Sequence, residues 1–103
     1  MKVERPEKLP NLLEEVQKHL KSGYYRYSGH ANDRLRERKI TRPEIIQVLE
    51  TGHHEKAKDT FEEAYSAWNY SIKGKTVYDR KLRIVVAFET PNLLIVTAID
   101  LNE

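Results

Sequence analysis

Two apolar runs near the C-terminus, Leu82 to Phe88 and Leu93 to Leu101, limit what this chain can become. Both are apolar at alternate positions on each side, the pattern of strands covered on two faces. Thr90-Pro91-Asn92 lies between them and reads as a turn, so the runs pair as an antiparallel hairpin. A hairpin of this kind belongs in the middle of a sheet and needs a helical layer above it. Trp68, Tyr70 and Ile72 alternate with polar residues and supply a further strand, which Gly74 is expected to end as a turn.

The covering helices precede the strands. Leu9, Leu13, Val16 and Leu20 share a stripe at helical spacing with Leu12 beside it, predicting a helix over 9–22 that stops at Gly23. Tyr24 to Tyr27 is short, aromatic and extended. Ser28 introduces a second helix from near His30 to Lys39, whose apolar face is only Ala31 and Leu35. Thr41 and Glu44 have capping-box spacing and start a third helix. Ile45, Ile46, Val48 and Leu49 form its buried face, and Gly52 ends it. Helices first and strands later predict an α+β fold, with two to three helices on one face of a curved antiparallel sheet. The 103 residues suffice for a single domain, 9–103, with residues 1–8 polar and frayed.

Composition narrows the chemistry. There is no cysteine, which removes disulfides, thiol catalysis and Cys-based zinc sites. No apolar run approaches the roughly 18 residues of a membrane span, and the N-terminus lacks a signal-type apolar region, so a cytoplasmic protein with no membrane partner is expected. No glycine-rich phosphate loop is present. His53 and His54 are adjacent on a strand and point to opposite faces, so no metal site and no cofactor is expected. The net charge is only +2, but Lys18 to Arg42 holds eight basic residues against two acidic ones. This cluster suggests a polyanion partner, although a solvated charged helix would look the same.

The second helix concentrates the informative residues. His30, Arg34, Glu37 and Arg38 share one face, beside the Ala31–Leu35 contact. An imidazole moves protons near neutrality, and guanidiniums hold phosphate through paired hydrogen bonds. The set suits phosphodiester cleavage without a metal, with His30, Arg34 and Arg38 as catalytic candidates. Surface ion pairs around a local histidine are the plainer alternative. Arg26, Arg36 and Tyr70 are candidates for binding RNA. Interleaved Tyr24, Tyr25, Tyr27, Trp68 and Tyr70 offer stacking surfaces or, equally, ordinary sheet core. A helix-turn-helix over 30–51 is disfavoured, because Glu44, Gln47 and Glu50 would face DNA phosphate with the wrong sign.

Tyr27-Ser28-Gly29-His30-Ala31, then Arg34, Glu37-Arg38 and Ile40-Thr41, resemble the opening motif of a family of small prokaryotic proteins of unknown function (DUF 4258). The Trp68-to-Gly74 segment and the strand with Val96-Thr97-Ala98 resemble its later parts, so the likeness runs from 24 to 101. That family is similar to the RelE/BrnT-like toxins of toxin–antitoxin operons. The resemblance implies a RelE-like fold and a metal-independent messenger-RNA endoribonuclease, in which the RNA's own 2′-hydroxyl attacks the adjacent phosphate. It carries over His30, Arg34 and Arg38 as motif residues and gives Glu37 a structural role, with Arg83 and Thr97 lining the same cleft. It implies RNA, ribosome-bound or free, and an acidic antitoxin as partners. The extra N-terminal helix would cover the cleft or form an antitoxin or homodimer interface. A non-catalytic RNA- or protein-binding module on the same fold is the alternative.

Overall fold

A computed structural model describes residues 5–102. Three helices, α1 (Leu12–Ser22), α2 (Gly29–Arg38) and α3 (Arg42–Thr51), are joined by the short strand β1 (Tyr25–Tyr27). Five further strands follow: β2 (His53–His54), β3 (Thr60–Glu62), β4 (Ala67–Lys75), β5 (Lys81–Glu89) and β6 (Asn92–Asp100). Single 3₁₀ turns at Lys56–Lys58 and Glu63–Tyr65 flank β3. The sheet runs β1-β6-β5-β4-β2, with β3 also paired to β4. It is antiparallel except at its edge, where β1 lies parallel to β6. The expected α+β architecture is present, with this one parallel pair as a departure from an all-antiparallel sheet.

The central hairpin is β5–β6. Its register puts Leu82, Ile84, Val86, Ile95 and Ala98 on one face, where all are buried. A bulge at Val85/Val86 keeps that alternation in phase along both strands. β4 adds Tyr70 and Ile72 to the same face. Against it pack Leu12 and Val16 of α1 and Ile45, Val48 and Leu49 of α3. Burying one such side chain contributes about 1.5–3 kcal/mol, so this layer carries most of the stability. The other face carries no α-helix among the described residues and holds the partly exposed Arg83, Val85, Leu94, Val96 and Thr97 with the buried Ala87.

Local signals mostly act as the sequence suggests. Gly23 takes the left-handed conformation (φ 80°) and its N–H bonds the His19 carbonyl, stopping α1. Ser28 caps α2 by accepting from the Ala31 N–H at 2.9 Å. Thr41 and Glu44 form the complete capping box of α3.

Three expectations are corrected. α1 starts at Leu12, because Pro10 and Asn11 make a turn before it. Gly74 is not a turn but an interior residue of β4. A Cβ there would come within 3.1 Å of both the Gly52 Cα and the Val48 Cγ1, so glycine lets α3 lie close on the sheet. The segment 5–8, expected to fray, is tied down. Lys8 pairs with Asp59 at 3.1 Å, and the Pro6 carbonyl accepts from the Trp68 indole at 2.7 Å. The remainder of the expected frayed segment, residues 1–4, lies outside the described residues.

Candidate functional site

α2 lies along the half of β6 that β1 leaves unpaired. Its first turn is fixed there by Ser28, whose N–H bonds the Ile95 carbonyl at 3.0 Å and whose hydroxyl donates to the Val96 carbonyl at 2.7 Å. Ala31 and Leu35 dock the helix, and both are buried. Its flank with Asn32 faces the start of α3, since the Asn32 side-chain Oδ1 accepts from Arg42 at 3.2 Å. His30 and Arg34 lie on the opposite flank. They therefore turn away from the flank that meets Arg42 at the start of α3.

The far end of α2 is held by Arg80, a residue not singled out in the sequence. Its guanidinium donates to the Arg38 carbonyl at 3.0 Å, the Lys39 carbonyl at 2.9 Å, Asp100 at 2.8 Å and Glu44 at 3.3 Å. One side chain thus joins the α2 C-terminus, α3 and β6, and satisfies two helix-end carbonyls. The hydrogen bond from Arg80 holds the Asp100 carboxyl below its ordinary pKa, with Arg38 adding a smaller contribution. The second oxygen of Glu44 is buried without a hydrogen-bond partner among the described residues. Lys39, left-handed at φ 53°, closes the helix. No local pattern marks Arg80, because its partners are up to 42 positions away.

Within this frame His30 and Arg34 meet. The Arg34 Nε–H donates to His30 Nε2 across a long 3.4 Å contact. Arg34 also pairs with Glu37 at 2.7 Å, the structural role assigned to Glu37. Arg38 continues the row one turn further. His30 is exposed, and its ring meets Arg34 of its own helix rather than the core.

The other candidates fall in different places. Thr97 lies opposite Val85 on the helix-free face, and Arg83 lies on that face beside Ile99. Arg83 is already engaged: Nε and Nη2 donate to the two Glu55 oxygens at 2.7 and 3.1 Å. That hydrogen bonding pushes the Glu55 carboxyl down and the Arg83 guanidinium up from their ordinary pKa values. Arg36 sits on the opposite flank of α2, paired with Asp33 at 2.6 Å. Arg26 projects from β1 and bonds Glu89 through Nε at 3.0 Å and through Nη2. Tyr70 belongs to the core, 4% exposed, with its hydroxyl accepting from the Leu9 N–H at 3.0 Å. Alternation identified the strand but not the face, and the inner face is the one α1 and α3 cover.

A second polar cluster went unnoticed in the sequence. The Asp59 side chain is fully buried and accepts from the Ser71 N–H at 2.9 Å. It is also 2.7 Å from His54 Nε2 and 3.1 Å from the Lys8 ammonium. The group is closed over by residues 5–8 and anchors that segment. Among the described residues no three His, Asp or Glu side chains are grouped to hold a metal ion. No described helix is long and apolar enough to cross a membrane.

No curated protein and no solved structure matches the chain. Residues 27–100 match the family described as a domain of unknown function (DUF4258). The match begins at the strand that leads into α2 and ends at the Asp100 held by Arg80, so it takes in the His30–Arg34–Arg38 row and the helix-free sheet face. On that coverage the chain belongs to the DUF4258 family.

Proposed function

We propose that the chain is a metal-independent endoribonuclease, resembling the RelE/BrnT-like toxins, with its site on the outer flank of α2. The observation that carries this reading is the His30–Arg34 pair. It places an imidazole 3.4 Å from a guanidinium, on a helix clamped at both ends. As Arg34 turns from His30 to the phosphate, the freed His30 imidazole takes the proton from the RNA 2′-hydroxyl. The 2′-oxygen bonds to phosphorus, the bond to the 5′-oxygen breaks, and that oxygen leaves with a proton from water, whose hydroxide is neutralised by the proton on His30. The products are a 2′,3′-cyclic phosphate and a free 5′-hydroxyl. Arg34 and Arg38 hold the phosphate oxygens as charge builds on them.

Magnitudes decide which arginines serve. Exposed ion pairs contribute about 0.2–1 kcal/mol, so phosphate readily replaces Glu37 on Arg34. The same holds for Asp33 on Arg36 and Glu89 on Arg26. Arg83 differs, being bidentate to Glu55 and only 19% exposed. It is the poorest phosphate ligand of the set and serves instead to set the charge of the sheet face.

The test is cleavage of RNA by purified protein in chelator, with and without ribosomes, beside His30→Ala. Cyclic-phosphate ends from the wild type alone are expected. Cleavage that His30→Ala retains would reject the assignment. A second reading, a non-catalytic binding module, is favoured by the pairing of Arg26, Arg34, Arg36 and Arg83 with carboxylates. It predicts salt-sensitive RNA binding without products. An acidic antitoxin belongs to the first reading, and coexpression with the neighbouring gene product would test for one.

A further inference from the structure

The helix-free face also holds a concavity of about 460 Å³, within the size range of small-ligand sites. Its floor is Ala87, Leu94 and Val96, and its rim carries Asn69, Tyr65, Glu62 and Glu89. One floor residue also ties it to α2, since the Val96 carbonyl accepts the Ser28 hydroxyl, two residues before His30. Tyr65 is 82% exposed, an aromatic ring at the rim that takes no part in the core.

The rim chemistry selects among ligands. Glu62 Oε1 accepts from the Ala64 N–H, and Glu89 Oε1 accepts from Arg26. Each carboxylate has a second oxygen, a further acceptor on a residue that lines the concavity. A carboxylate offers acceptors only, so it suits a base with two adjacent N–H donors. Guanine has that arrangement at N1 and N2. Adenine and cytosine place an acceptor next to their amino group, and uracil flanks its single N–H with carbonyls. The Asn69 amide can donate to the guanine O6, and the apolar floor and Tyr65 can cover the ring faces. Arg26, beside Glu89, offsets the acidic rim near the phosphate.

We infer that this concavity, bounded by Asn69, Glu62, Glu89 and Tyr65 over Leu94 and Val96, binds a guanine base of the RNA handled at the His30 site. The inference rests on the RNA reading above.

The experiment is an NMR titration of the full nitrogen-labelled chain with 3′-GMP, 3′-AMP, 3′-CMP and 3′-UMP as probes. Shifts at the Asn69 side-chain amide and at Ala87 and Val96 are expected with 3′-GMP, binding roughly tenfold or more tighter than the other three. Asn69→Ala should weaken 3′-GMP binding and narrow the preference. Val96→Trp, which fills the floor from the solvent side, should remove binding at the concavity. Equal binding of all four with shifts confined to α2 would overturn the inference, as would no binding at millimolar concentration. Cleavage of RNA with a silent concavity would sink this inference alone. Selective 3′-GMP binding here without any cleavage would support it and sink the ribonuclease reading instead.

Discussion

α2 and α3 are both ten residues long and follow one another in the chain, yet their residues are used differently. α3 turns Glu44, Ile45, Val48 and Leu49 into the interior and starts with a complete capping box. α2 buries only Ala31 and Leu35 and is held by its ends, through Ser28 at one and Arg80 at the other. A short polar helix has little stability of its own. Fixing the ends rather than one face leaves a whole flank of α2 open, and His30 and Arg34 occupy that flank. The contrast separates residues that make the fold from residues that the fold presents.

Truncation in α3 should have the largest effect on stability. Leu49 is fully buried, so Leu49→Ala should cost about 3 kcal/mol in urea unfolding. A loss below about 1 kcal/mol would mean that α3 is not the main cover of the sheet.

Arg80→Ala comes next. It removes donors from Asp100, Glu44 and two carbonyls, and should cost about 2 kcal/mol at neutral pH. The pH dependence sharpens the point. Asp100 has a lowered native pKa, chiefly through Arg80. Its contribution is therefore complete above the ordinary carboxylate pKa and is lost as pH falls through the lowered native value. Glu55 acts in the same direction through Arg83. Unfolding curves from neutral to acid pH should show this loss in the wild type, and a flatter dependence in Arg80→Ala.

Lys39→Gly should have a smaller effect, of opposite sign. Lys39 is left-handed at the end of α2, a conformation costing about 1 kcal/mol for a residue with a side chain. Glycine there should raise the midpoint slightly. A clear fall would show that the Lys39 side chain helps to hold α2.

What the sequence made legible follows the range of each interaction. Ser28, and Thr41 with Glu44, act within three positions, and each caps the helix that its spacing announces. The apolar runs from 82 and 93 became the central hairpin because burial on two faces leaves a strong pattern. Gly74 was misread because its reason lies across the fold, in the approach of Val48 and Gly52. Tyr70 entered the candidate site because alternation does not say which face of a sheet is covered. Arg83 with Glu55, and Arg80 with Asp100, are pairs between distant segments whose register only the folded sheet supplies. The His30–Arg34 face was legible because both residues sit on one short helix.

The contrast between the two helices meets its sharpest test in one protein sample of His30→Ala, measured for both unfolding and RNA cleavage in chelator. Stability should stay within about 0.5 kcal/mol of the wild type, as for an exposed residue outside the core, while cleavage and its cyclic-phosphate ends disappear. Undiminished cleavage, or a stability loss above about 1 kcal/mol, would contradict the view that α2 exists to present this histidine.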